Sequence, residues 1–285
     1  MTATSAATPP SEDGPRKSLR PLALQALCLS DLATKVAAVR DLHDAWTHAR
    51  LDLDTDTVLA APPNLPGRPN RPRLVPVQQV PRRSPHTIAG RVALLHAICH
   101  IEFNAINLAL DAVWRFAGMP AQFYADWLLV ASEESLHFSL LQEHLLNLGH
   151  GYGDFDAHDG LWTMTARTAD DVVARMALVP RTLEARGLDA TPPIQAKLRR
   201  AGDERAVAIL DIILRDEVGH VAIGNHWYRW LCAQRGLDAE MLYPQLVAQY
   251  AAPKLKPPFN LEARRRAGFS EAEISALTDL QTSPQ

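Results

Sequence analysis

Residues 133–137 read Glu133-Glu134-Ser135-Leu136-His137, and residues 216–220 read Asp216-Glu217-Val218-Gly219-His220. Both have the form acid-Glu-x-x-His. Positions i and i+3 of an α-helix share a face, so each glutamate and its histidine can reach one ion. A lone E-x-x-H is a weak signal, because so short a motif recurs by chance, and its surroundings decide its meaning. On a wheel at ~100° per residue, Glu134 and His137 share their face with Trp127, Val130, Ala131, Phe138, Leu141 and Leu145. Glu217 and His220 share theirs with Ala206, Leu210, Ile213, Leu214, Val221 and Gly224. A buried carboxylate without a cationic partner is costly. Neither face carries a Lys or Arg, so another cation must meet these groups.

Working outward, helical patterning covers residues 87–116, 121–148, 169–186 and 203–234, with stop signals at Gly118-Met119-Pro120, Gly149, Gly187 and Gly236. Pro180 predicts a kink in the third helix. Few segments alternate with period two, and the fold class is all-α. The first two helices are joined by a few residues and form an antiparallel pair. The stretch Gly149 to Thr168 is long enough to cross the end of a bundle. The last connection holds Pro192-Pro193 and a short amphipathic stretch, Ile194 to Arg200. Two hairpins with one long crossover is the connectivity of ferritin-like four-helix bundles.

The other two helices each offer one inward glutamate. Glu102 projects from an apolar arc of Leu95, Ile98, Ala105, Ile106 and Ala109, while His96, His100, Asn104, Asn107 and Asp111 form a separate polar stripe. Glu184 shares a face with Val173, Ala177 and Leu188. Glu102 lies 32 residues before Glu134 and Glu184 lies 33 before Glu217, a cryptic repeat of two helical hairpins. Four glutamates and two histidines form the ligand set of a carboxylate-bridged dinuclear site. Two divalent ions would neutralise four carboxylates. Oxygen-rich sites with imidazole suit iron or manganese rather than structural zinc. Glu133 and Asp216 stand four residues before His137 and His220, a spacing that lets each orient the histidine on its own helix by accepting the outer ring N–H.

A formal net charge of -3, from 29 basic and 32 acidic side chains, excludes a strongly basic nucleic-acid binder as the default. No run approaches 18 uninterrupted apolar residues, so no membrane span is expected, and the amino terminus lacks the apolar core of a signal peptide. Three scattered cysteines, Cys28, Cys99 and Cys232, fit a reduced cytoplasm and provide no rubredoxin-type module. Residues 1–20 read as a tail, 21–60 as an N-terminal helical segment, 87–235 as the four-helix bundle and 236–285 as a C-terminal helical extension. Between them, residues 61–86 hold eight prolines, five arginines and no acidic side chain. Proline excludes helix and central strand there. The apolar Leu74, Val75, Val77 and Val80 favour a strap laid over the main domain above a free linker.

The strings RFAGMPAQFYADWLLVASEESLHF, YGDFDAHDGLW, ARMALVPRTLEARGLD and DEVGHVAIGNHWY closely resemble the bacterial domain-of-unknown-function 455 family, across roughly His86 to Phe269. The chain also resembles the ferritin-like superfamily of di-iron carboxylate proteins. These resemblances imply a four-helix fold and a metal site whose ligands map onto Glu102, Glu134, His137, Glu184, Glu217 and His220. They imply no substrate.

Plainer readings compete at several positions. Arg181, three residues before Glu184, offers a surface i,i+3 ion pair. His96 and His100 read as hydrogen-bonded members of the polar stripe, and Cys99 as a core residue. Trp127, Phe138, Trp227 and Tyr228 are candidates for a substrate pocket, with core packing as the alternative, and Gly224 would leave space beside the ions. His158 and Asp159 read as loop scaffold. The arginines of the arm and Arg264, Arg265 and Arg266 read as solvated surface; RNA contact would need the two patches to converge. The leading expectation is an oxidoreductase activating O2 or peroxide at two iron ions, with manganese or an Fe/Mn pair as variants. It would act on a small-molecule substrate with an external electron donor, with a homodimer as a candidate assembly. The alternatives are a non-catalytic iron-binding or metal-stabilised bundle and a tRNA-hydroxylase-like modification enzyme.

Overall fold

A computed structural model of the chain describes residues 16–80 and 85–282. Most of the tail expected over 1–20, and residues 81–84 of the arm, lie outside the described residues. Among the described residues the chain is all-helical, with two isolated β-bridges and no strand. Helix α1 (Leu19–Cys28) begins inside the stretch read as tail, and α2 (Leu32–Thr47) follows it. Arg20 explains the early start. It is buried and donates to the carbonyls of Asp54, Thr55, Thr57 and Trp114, which ties the amino terminus to the core.

Helices α3 (Ile88–Arg115) and α4 (Ala121–Asn147) pack along one another as the first hairpin. The Thr87 hydroxyl caps α3 by accepting from Gly90 N, and Gly149 at φ +79° lets the chain leave α4. By length and composition α3 could cross a membrane, yet 72% of its apolar stretch is buried inside the protein, which is how a core helix is covered. Its polar stripe is buried as well. His96 Nε2 accepts from Gly153 N, His100 Nδ1 lies 2.8 Å from Tyr152 OH, Asn107 accepts from Lys35, and Asp111 pairs with Arg175 and Arg115.

The crossover carries a short helix, α5 (Gly160–Arg167). The arm is a strap over it. Gly67 N donates to Leu27 O, Val75 pairs with Ala157 across 2.8 Å, and Arg68 forms an ion pair with Asp159.

The third helical region differs from expectation. After α6 (Val172–Leu178) comes a π-helical segment, Val179–Glu184, and then α7 (Ala185–Arg200), which runs through Gly187 and Pro192-Pro193. Pro180 lacks the N–H that would close an α-turn, and widening to π geometry absorbs the defect without a sharp break. Thr182 Oγ1 donates to Ala177 O, five residues back. Pro192 likewise frees the Leu188 carbonyl, which accepts from Asn260 Nδ2 at 3.2 Å. Helix α8 (Glu204–Gln234) packs on α4, α6 and α7. Helices α9 (Ala239–Gln249), α10 (Leu261–Arg266) and α11 (Glu271–Thr282) follow it.

Candidate metal centre

Single ligand atoms from Glu102 on α3, Glu134 and His137 on α4, and Glu217 on α8 all lie within 4.8 Å of one another, and all four residues are buried. His137 Nδ1 stands 3.2 Å from Glu102 Oε2 and 3.4 Å from Glu134 Oε2. His220 approaches from α8, its Nδ1 3.0 Å from Glu134 Oε1 and 3.6 Å from Glu217 Oε1. Glu134 therefore sits between two imidazoles. Glu184, at the end of the π segment, is buried and close enough to feel the charges of Glu217, Glu134 and Glu102.

The unsatisfied atoms show what this cluster lacks. Glu134 Oε1, both oxygens of Glu184, Glu217 Oε2 and His220 Nδ1 are buried with no hydrogen-bond partner. Buried polar atoms without partners are uncommon. Five around one centre, four of them carboxylate oxygens, call for a cation rather than a donor. His220 Nδ1 and Glu134 Oε1 are close yet not hydrogen-bonded, as two ligands aimed at one ion would be.

The electrostatics agree. Burial, and then the Glu134 charge, push Glu102 up to about 8 despite the nearby His137. Burial, and then Glu217 and Glu134, hold Glu184 well above the usual carboxylate range. Burial disfavours a protonated His137, but hydrogen bonds and charge from Glu102 and Glu134 outweigh it and push the ring up to about 11. His220 is raised as well: burial opposes the charged ring, but the Glu133 hydrogen bond and the nearby Glu134 and Glu217 carboxylates outweigh it. Bare, the cluster is an excess of negative charge attracting protons; a divalent ion would replace them.

Each imidazole's outer nitrogen has a carboxylate, but not the expected one. His137 Nε2 lies 3.1 Å from Asp216 Oδ2 on α8, and His220 Nε2 lies 2.8 Å from Glu133 Oε2 on α4. The pairing is crossed between helices. With Nδ1 turned to the glutamate one turn back on its own helix, the distal Nε2 points away from that helix and reaches only the facing one. Asp216 is further held by Arg215, with Nε to Oδ1 at 2.7 Å. Glu133→Gln is therefore expected to perturb the ring resonances of His220 and leave those of His137 nearly unchanged, with Asp216→Asn doing the reverse. Nitrogen-15 NMR of the histidine rings checks this, and each variant should bind metal roughly 10–100-fold more weakly.

A family model described as "Protein of unknown function (DUF455)" matches residues 28–275. The chain belongs to this family. A relative from Haemophilus influenzae, named only as an uncharacterized protein, is 53% identical over 225 residues, covering 76% of this chain and 78% of its own length. No solved structure matches the chain.

The aromatic residues considered for a substrate pocket in this DUF455 chain pack as core. Trp127 lies against Phe123, Phe138 against Phe103 and Tyr152, and Trp227 against Phe123 with its indole N–H on Asp126. Tyr228 donates its hydroxyl to Ala239 O. The expected space at Gly224 is taken: a Cβ there would lie 2.5 Å from Pro180 Cβ, so the missing side chain admits the π segment, not a ligand. The i,i+3 pair between Arg181 and Glu184 is absent; Arg181 bonds Asn225 and Glu273 instead. A π turn alters the angle between positions three apart, so spacing alone misplaced that partner. His158 and Asp159 act as scaffold, through Gly160 N and Arg68.

Proposed function

We propose that this chain is a ferritin-like di-metal carboxylate oxidoreductase that activates O2 or peroxide for oxidation of a small molecule. The observation that carries the reading is the set of unpartnered, buried carboxylate oxygens and imidazole nitrogen from α4, the π segment and α8, beside the buried Glu102 of α3, without a Lys or Arg among them. Glu102, Glu134 and His137 would hold one ion, and Glu184, Glu217 and His220 the other. The oxygen-rich donor set with imidazole fits iron or manganese better than structural zinc. When bound, such a pair supplies Lewis acidity and electron transfer to oxygen.

The chain's own groups do the rest. Four glutamates balance the charge of two divalent ions, so the buried centre carries little net charge. Asp216 and Glu133 fix the tautomer of each histidine by accepting from Nε2, which leaves Nδ1 free to ligate. The apolar faces of α4 and α8 keep bulk water from the ligands. An external donor must return electrons, since the chain has no rubredoxin-type cysteine pairs.

The test is anaerobic loading with Fe(II), metal analysis, and addition of air in an oxygen electrode cell. Two ions per chain with rapid O2 uptake are expected. Two ions with no O2 uptake would favour a metal-binding bundle without redox chemistry, and failure to bind any ion would remove the proposal altogether.

A further inference from the structure

We infer that the C-terminal extension is a working part of the metal centre, with Arg181 and Glu273 as positioning residues for Glu184. The inference rests on the metal-centre reading above and adds to it a segment that lies far from every ligand in sequence. Glu184 differs from the other glutamates. It is placed by a π segment, a geometry rarely stable alone, and neither of its oxygens has a partner to hold the side chain. Its position is therefore decided by whatever fixes the segment's backbone.

That support comes from two sides. On the α8 side, Gly224 receives Pro180 so closely that no Cβ would fit. On the other side, Arg181 projects into the extension and is 2% exposed. Its guanidinium lies over the rings of Tyr228, Tyr243 and Phe269, with carbon-to-centroid distances of 5.3, 4.7 and 4.8 Å. Nη1 donates to Asn225 Oδ1, and Nη2 donates to Glu273 Oε1. Tyr243, Phe269 and Glu273 all belong to the extension. The next residue of the segment, Thr182, has its hydroxyl 2.9 Å from Tyr243 OH.

Glu273 is itself immobilised. Its Oε2 accepts from Ser270 N at 2.8 Å while Ser270 Oγ accepts from Glu273 N at 3.3 Å, a capping box at the start of α11. The carboxylate that pins Arg181 is thus built into a helix terminus, and the planar fork of the arginine transmits that geometry to a backbone three residues from Glu184.

The experiment uses the full chain, stripped of metal and titrated with Mn(II), with calorimetry for affinity and electron paramagnetic resonance for the coupled pair. Glu273→Gln and Arg181→Lys should weaken the second ion at least tenfold, diminish the coupled-pair signal, and leave the first ion and helical circular dichroism near wild type. Tyr243→Phe, a milder change that removes only the hydroxyl at Thr182, should weaken the second ion about threefold. Glu271→Gln, on the same helix as Glu273 but breaking only a surface pair with Arg265 of α10, should bind like wild type. Wild-type affinity for both ions in every folded variant of Arg181, Tyr243 and Glu273 would overturn the inference. Absence of Mn(II) binding by the wild-type chain would instead strike the metal-centre reading on which it rests.

Discussion

Alanine at Glu134 or at His220 is expected to bring the metal content of iron-loaded protein below two ions per chain and to abolish O2 uptake, with far-ultraviolet circular dichroism largely preserved. Glu134 has one oxygen toward His137 and the other toward His220, so its loss would take a carboxylate from beside both imidazoles of the proposed site. The penalty should exceed the roughly 10–100-fold lost with an outer-sphere partner. Thermal melts with and without metal give a second readout. Ligand at 100 times its Kd stabilises a protein by about 2.7 kcal/mol, and that increment should vanish in both variants. Glu184→Gln should behave in a way no ordinary core mutation does: the metal-free form becomes more stable, because an acid held well above its usual range by burial and by Glu217 is replaced with a neutral isostere. The metal-loaded form becomes less stable. Loss of stability in both states would mean that Glu184 serves packing, and unchanged metal content in both alanine variants would contradict the ligand assignment.

The convergence of these groups was legible in the sequence because Glu102 and the two E-x-x-H pairs stand alone among apolar neighbours, where a wheel separates them cleanly from the stripe running from His96 to Asp111. Helix ends were legible wherever side chain and backbone chemistry coincide, as at Thr87, Asp203 and Gly149. What spacing along one helix could not convey is the partner contributed by another. The exchange of Glu133 and Asp216 between histidines depends on which ring nitrogen faces inward, and the continuity of α7 through Pro192 depends on Asn260, whose amide takes the Leu188 carbonyl. Pro180 looked like a kink because a mid-helix proline is usually relieved by bending; here a glycine on α8 gives it room and the turn widens instead. The true partner of Arg181 was missed for a similar reason. Its counter-ion is Glu273, in a helix whose docking no local pattern reveals.

The metal-free protein should be most stable in mildly acidic solution and should weaken between pH 6.5 and 8. Glu102 titrates at about 8 in the fold against 4.5 as an ordinary glutamate, so the folded state keeps most of its proton until pH approaches 8 while the unfolded state has already lost it. His137 titrates at about 11 against 6.5, and again the folded state binds the extra proton. When the native state holds more protons, stability falls as pH rises, by up to about 1.4 kcal/mol per pH unit for each group. Two groups act oppositely on the acid side. Burial lowers His96 to about 4 and His100 to about 3, so below pH 6.5 the unfolded state binds more protons at these rings. This offsets the opposite slope of Glu102 and the likewise raised Glu184 and levels the profile on the mildly acidic side. Lys35 opposes the decline from neutral pH upward, because burial, then Arg68, lowers it to about 7 and the unfolded state binds the additional proton between there and 10.5. The net slope is therefore steepest from 6.5 to 7 and shallower from 7 to 8. Bound metal removes the contribution of the cluster, because ligated carboxylates and imidazoles no longer exchange protons in this range. Urea unfolding of chelated and Mn(II)-loaded protein at pH 6.5, 7.0 and 8.0 measures the difference. The chelated protein should lose stability across the series, while the loaded protein should hold level or gain slightly as Lys35 loses its proton. Parallel pH profiles for the two forms would show that the buried carboxylates and imidazoles are not where the metal binds.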